Sequence, residues 1–183
     1  MRSTALFRTL LLATALTVSV AGVAQTASAQ TSTAPAATAL PVPQIGSAPI
    51  TAVAHPYADP ESAHAAVDAA FAQARKTGRK VLIDFGANWC PDCRVLAGVL
   101  THPAVSPWVE QTFEVVSVNV DHFNQNMDLA KKFGITIKAI PVALIVTPDG
   151  KVLNGDETLA LGDARRMSGQ AVVDKLAEWA KHS

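Results

Sequence analysis

Both cysteines of the chain, Cys90 and Cys93, stand three positions apart in the stretch Asn88-Trp89-Cys90-Pro91-Asp92-Cys93-Arg94. Just upstream, Lys80 to Phe85 (KVLIDF) is short, apolar and rich in strand formers. Just downstream, Pro91 to Leu100 sets Val95, Leu96, Val99 and Leu100 on one helical face. The pair therefore marks a junction at which a strand gives way to a helix.

The remaining elements extend that arrangement. Asp59-Pro60-Glu61 reads as a helix start, with Ala65, Ala66, Ala69, Ala70 and Phe71 at helical spacing and a stop at Gly78. Ser106 to Thr112 is expected as a short helix, Phe113 to Val120 as a second strand, and Met127 to Phe133 as a helix closing at Gly134. Val142 to Val146 is a third strand, and the turn Pro148-Asp149-Gly150-Lys151 leads into a fourth at Lys151 to Leu153. Ser168 caps a last helix through Ala171 to Trp179. The order is α, β, α, β, α, β, β, α. Strands separated by helices are expected to pair in parallel and the final hairpin to be antiparallel, giving an α/β fold of about four strands in a mixed sheet with helices on both faces.

A helix N-terminus offers unsatisfied N–H groups and the positive end of the dipole, both of which favour a thiolate. Cys90 is expected at or near the N-cap, with Pro91 at the first helical position. Cysteine pKa values in such places fall from about 8.5 toward roughly 3.5–7.5. Cys93, one turn further in, is near enough to close a disulfide, so Cys90 would attack and Cys93 resolve. Two other readings stay open. A structural disulfide closing so small a ring adds little, because the stabilisation grows with loop length. A zinc site needs two more ligands, and His55, His64, His102, His122 and His182 are not spaced as a pair. No metal is expected, and no cofactor beyond the redox-active disulfide.

Residues 1–29 read as a signal peptide: Arg2 and Arg8, the apolar run Leu10 to Ala24, and Ala27-Ser28-Ala29 before Gln30. That run is too short to span a bilayer. The expected location is the periplasm. Residues 30–56, rich in Ala, Thr and Pro, are expected as a flexible linker. Residues 57–183 form a single domain of ordinary size. Without Arg2 and Arg8 the 15 basic residues fall to 13 against 15 acidic ones, which leaves no footprint for nucleic acid.

The stretch Lys80 to Arg94 (KVLIDFGANWCPDCR), then Phe133-Gly134-Ile135 and Ile140-Pro141-Val142, resembles the thioredoxin superfamily in element order from Lys80 to Ser183. The extra N-terminal helix and the Thr101-His102-Pro103 to Trp108 excursion resemble the periplasmic reductase domain of the membrane disulfide-transfer protein. The resemblance implies a thioredoxin fold and thiol-disulfide oxidoreductase chemistry. It makes Asp84, six residues before Cys90, a buried carboxylate that takes the Cys93 proton, with its pKa raised toward neutrality. It makes Pro141 a cis-proline that holds Ile140 and Val142 where an extended substrate pairs, and Trp89 a flat docking border. The lysine often found opposite the buried carboxylate is replaced by Ser117.

Asp92 sets a carboxylate beside the thiolate. Its repulsion should raise the Cys90 pKa and, together with Pro91, tune the potential toward electron donation. A protein-disulfide reductase acting on exported proteins is therefore expected, fed by a membrane electron donor of the disulfide-transfer type and acting as a monomer. An oxidase or isomerase, a non-catalytic binding module and a metal carrier are the alternatives. His102 and His122 are expected as plain loop residues, Arg165-Arg166 as a solvated charge pair, and Met127 and Met167 as packing.

Overall fold

The computed structural model of the chain describes residues 40–183. The expected signal peptide and residues 30–39 of the expected linker lie outside them. After a 3-10 turn at Pro60–Ser62, the elements run α1 (Ala63–Thr77), β1 (Lys80–Gly86), α2 (Pro91–Leu100), α3 (Ser106–Thr112), β2 (Phe113–Asn119), α4 (Met127–Lys132), β3 (Val142–Val146) and α5 (Gly169–Ala180). Gly78 ends α1 at φ 75°, a backbone conformation that suits glycine. Ser168 caps α5 by accepting from the Ala171 N–H at 3.1 Å.

The sheet has three strands in the order β2-β1-β3. β1 pairs in parallel with β2, Asp84 opposite Ser117, and antiparallel with β3, Phe85 opposite Val142. The parallel expectation for strands separated by helices thus fails between β1 and β3. The stretch 133–141 after α4 is long enough to deliver β3 to the end of the sheet where β1 finishes, so β3 runs back along it. The fourth strand is reduced to a single bridge, Val146 to Val152. Beyond it Asn154 turns its side chain into the ladder, accepting from the Ile145 N–H at 2.8 Å and donating to the Ala143 carbonyl at 2.9 Å. A side-chain amide thus completes the edge that a strand backbone was expected to complete.

β1 is buried on both faces, and its side chains alternate between two cores. Val81, Ile83 and Phe85 join Val67 and Ala74 of α1 and Leu129 of α4. Leu82 joins Leu96 and Val99 of α2, Val109 of α3, and Val172 and Leu176 of α5. Alternation puts Asp84 on the Leu82 side, the layer that α2 covers.

Residues 40–56 are not a free tether. Val42, Ile45 and Ile50 pack against the α2–α5 core. Val53 donates to the Arg94 carbonyl at 3.0 Å, and Arg94 Nε returns a bond to the Val53 carbonyl at 3.1 Å. Gln170 Oε1 accepts from Ile45 N at 2.7 Å while its Nε2 donates to the Pro43 carbonyl at 3.2 Å. The few apolar side chains of this stretch suffice because two glycines clear their path. A β-carbon on Gly98 would lie 2.2 Å from the Thr51 carbonyl oxygen, and one on Gly169 would lie 2.8 Å from Ile50 Cδ1.

Alanine inside a helix is ordinarily worth about 1 kcal/mol over glycine. At Gly98 the new methyl meets backbone, and overpacking of this kind costs about 1–3 kcal/mol. Gly98→Ala should therefore lower stability by about 1 kcal/mol in urea unfolding and speed proteolysis within residues 47–53. A more stable variant would show that the strap is dispensable to the fold.

Candidate active site

The end of β1 and the start of α2 position the cysteines. After Gly86 the chain turns through Ala87, Asn88 and Trp89, and the Cys90 N–H closes the turn on the Ala87 carbonyl at 3.0 Å. Cys90 is the N-cap of α2, in extended conformation, with Pro91 in the first helical turn. The Cys90 sulfur accepts from the Cys93 N–H at 3.2 Å, satisfying one of the helix's orphan donors. The two sulfurs form a disulfide, with the α-carbons 5.3 Å apart. Both lie inward, and only Cys90 keeps any surface, 3% against none for Cys93.

Ile140 and Pro141 meet in a cis peptide bond. The Ile140 carbonyl oxygen lies 3.7 Å from the Cys90 sulfur. Pro141 is buried, Val142 turns its side chain into the core, and Ile140 borders the cysteine cluster.

Asp84 is 1% exposed. Its Oδ2 accepts from the Tyr57 hydroxyl at 2.7 Å, and its Oδ1 has no hydrogen-bond partner among the described residues. Burial pushes the carboxyl up to about 7, against the opposing pull of the Tyr57 hydrogen bond. Burial, with the charge and hydrogen bond of Asp84, pushes the Tyr57 phenol well above its ordinary range. Where a lysine was looked for, Ser117 stands in register and half-buried, and the group facing the carboxylate is a neutral phenol instead.

Tyr57 was not singled out in the sequence. It is the chain's single tyrosine, but nothing in its local pattern ties it to a residue 27 positions away. Its backbone is held at both ends by one amide: Asn88 Oδ1 accepts from Tyr57 N at 3.0 Å and Asn88 Nδ2 donates to the Tyr57 carbonyl at 2.9 Å. Tyr57, Cys90 and Cys93 pack as one buried cluster with Ile140 at its border.

Arg165 is exposed as expected, but it is paired across the fold rather than free. Its backbone N–H and Nε donate to the two carboxylate oxygens of Asp92 at 3.0 and 3.1 Å, and Nη2 lies 3.1 Å from Oδ2. Burial pushes the Asp92 carboxyl up, but the hydrogen bonds and charge of Arg165, with the charge of Arg166, outweigh it and hold the group below the usual carboxylate range. Asp92 is therefore a compensated anion. The Arg165 guanidinium opposes the repulsion that Asp92 was expected to exert on Cys90.

Trp89 lies outside, 46% exposed, with Nε1 donating to the Asp121 carbonyl at 3.0 Å. His122 stacks on it at 5.3 Å and 2°, and Phe123 meets its edge at 6.2 Å. Asp121, Phe123 and Asn126 all take positive φ, which folds this loop back toward the indole. His122 is thus more than the plain loop residue expected. His102 fits that description, its Nδ1 accepting from Ala104 N. Among the described residues no three His, Cys, Asp or Glu side chains converge as metal ligands would.

A carboxyl whose folded-state pKa lies above its unfolded value holds an extra proton in the folded state between the two, so stability falls as pH rises from about 4 to about 7. Asp84→Asn should remove that fall. The variant is expected to gain on the order of 4 kcal/mol over the parent at pH 8, where Asp84 is ionised, and little at pH 4, where the folded-state carboxyl is protonated. Denaturant titrations at the two pH values test it.

The family model described as Thioredoxin-like matches residues 62–148. A thioredoxin-like protein from Fusarium culmorum is 32% identical over half of this chain and 72% of its own length. Thioredoxin 1 of Synechococcus elongatus is 34% identical over 49% of this chain and 77% of its own. The crystal structure of a disulphide isomerase from Xylella fastidiosa Temecula1 is 35% identical with a TM-score of 0.64, the likeness covering 68% of this chain and 95% of that one. With a strand-to-helix Cys-Pro-Asp-Cys disulfide, a cis Ile140–Pro141 bond and these relatives, the chain belongs to the thioredoxin-like family.

Proposed function

We propose that the protein is a periplasmic thiol-disulfide oxidoreductase that reduces disulfides in exported proteins. The observation that carries this reading is the Cys90 sulfur at the N-cap of α2, accepting the Cys93 N–H and bonded to the Cys93 sulfur. In the reduced protein that donor and the helix dipole favour the Cys90 thiolate. The thiolate attacks one sulfur of a substrate disulfide, forms a mixed disulfide and releases the first substrate thiolate. Cys93 then loses its proton toward Asp84 and attacks the Cys90 sulfur. The second substrate thiolate leaves, the Cys90–Cys93 bond forms, and two electrons have passed from the dithiol to the substrate.

The other site residues take supporting roles. Asp84 suits a proton acceptor at neutral pH because its carboxyl is held to about 7. Trp89, with His122 and Phe123, offers an apolar border beside Cys90, and the backbone at Ile140 offers pairing to an extended segment. Pro91 starts the helix that supports the thiolate. Arg165 offsets the Asp92 charge only in part, and the residual repulsion on the Cys90 thiolate keeps the potential in the reducing to intermediate range. In an oxidising compartment the protein needs an electron donor, and a membrane protein of the disulfide-transfer type fits that need.

A second reading, disulfide isomerase, is favoured by the 35% identity to the Xylella fastidiosa protein. It uses the same dithiol and differs in outcome: re-pairing of a scrambled substrate without net reduction.

Equilibration with glutathione tests the direction. A potential near the oxidant end of the family range, about −120 mV, would sink the reductase reading. Cys90→Ala should abolish insulin reduction with dithiothreitol, and a variant that still reduced insulin would overturn the assignment of Cys90 as the attacking thiol. Cys93→Ser should retain client proteins on Cys90 as mixed disulfides for identification. Arg165→Ala should slow alkylation of Cys90 at pH 7 about two- to fivefold, because the freed Asp92 charge, partly screened, is worth about 0.5–1 kcal/mol against the thiolate.

A further inference from the structure

The proton that leaves Cys93 has a more specific route than a bare carboxylate. A β-carbon built on Gly86 would lie 2.1 Å from the Tyr57 hydroxyl oxygen and 3.0 Å from the Cys93 sulfur. The hydroxyl and the sulfur therefore share one hollow and lie within about 5 Å of each other, the most those two distances allow. On its other side the same hydroxyl donates to Asp84 Oδ2 at 2.7 Å. A phenol is both donor and acceptor, so it can receive one proton as it passes on its own. Tyr57 is the residue of the buried cluster with Cys90 and Cys93 that carries a hydrogen bond to Asp84.

The groups around Asp84 are few. Tyr57 comes from the N-terminal segment, while β2 and β3 set Ser117 and Ala143 in register, neither of which titrates. From α2 the titratable group in the cluster is Cys93, and the charged residues flanking it are engaged elsewhere, Asp92 with Arg165 and Arg94 with the Val53 carbonyl.

We propose that the Tyr57 hydroxyl relays the Cys93 proton to Asp84 as Cys93 attacks the mixed disulfide. The inference rests on the oxidoreductase reading above, in which Asp84 is the final acceptor. In the step, the Cys93 S–H proton passes to Tyr57 Oη while the Tyr57 O–H proton passes to Asp84. The Cys93 thiolate displaces the substrate sulfur from Cys90, the Cys90–Cys93 bond forms, and the substrate leaves as a thiolate. Tyr57 ends neutral, Asp84 ends protonated, and no further reactant is needed. Asn88 acts as a positioning residue, since its two bonds to the Tyr57 backbone fix where the hydroxyl sits.

The test uses the reduced full chain with glutathione disulfide as the probe, acid quenching, and mass spectrometry to follow the Cys90–glutathione adduct. Tyr57→Phe keeps the ring and removes only the hydroxyl. Its attack step should stay within about twofold of the parent while resolution slows at least about tenfold, a floor beneath the roughly hundredfold or more that proton transfer by a placed group supplies, so the adduct accumulates. Asp84→Asn should slow the same step, and the double variant should be no slower than Asp84→Asn alone. Parent-like resolution in Tyr57→Phe beside slow resolution in Asp84→Asn overturns the relay and spares the Asp84 reading. Parent-like resolution in Asp84→Asn overturns both. Equal slowing of attack and resolution in Tyr57→Phe overturns the relay in favour of a packing role.

Discussion

Alternation along β1 governs this protein. A strand covered on both faces must bury every side chain it carries, and Val81, Ile83 and Phe85 go one way while Leu82 and Asp84 go the other. A carboxyl at the fifth position is therefore obliged to enter the layer beneath α2. Burying it without a partner would cost several kcal/mol, so it stays near-neutral and takes one hydrogen bond from a phenol. The cysteine helix starts directly after the same strand, which brings the redox sulfurs to that carboxyl's neighbourhood with no further device.

The site has two sides of opposite character. Behind the disulfide lie the buried side chains of Tyr57, Asp84 and Cys93, where protons can be handled away from bulk solvent. In front lies an exposed aromatic shelf of Trp89, His122 and Phe123, suited to meeting another polypeptide. Cys90 stands at the boundary, which is where a sulfur that exchanges partners has to be. The ionic contact between Asp92 and Arg165 ties the segment before α5 to the first turn of α2. That contact sets how much negative charge the thiolate feels.

What could be read in the sequence was local in character. The strand-to-helix junction, the helix caps at Gly78 and Ser168, and the thiol pair all follow from residues within a few positions of one another. Asp84 and the cis bond at Pro141 followed from resemblance, since no local pattern places either beside the sulfurs. Two of the misses are long-range side-chain pairings. Tyr57 reaches Asp84 across 27 positions and Arg165 reaches Asp92 across 73, so neither partner announces the other. The flexible-linker expectation for residues 40–56 failed for a related reason: a stretch with a few spaced aliphatic side chains, of which Val42, Ile45 and Ile50 reach the core, looks too weak to hold until Gly98 and Gly169 are seen to make room for it. The missing fourth strand was a question of chemistry, because the side-chain amide of Asn154 imitates the backbone groups a strand would bring.

Gly86 has a bearing on how this chain can change over generations. Its absent side chain is the space in which a phenolic oxygen and a sulfur both stand. Any larger residue there collides with both the phenol oxygen and the ring carbon that bears it, so the position has to stay bare for as long as an aromatic ring fills position 57. The two sites amount to one inherited unit, spelled in two places 29 positions apart, and a lineage that lost one would be free to lose the other.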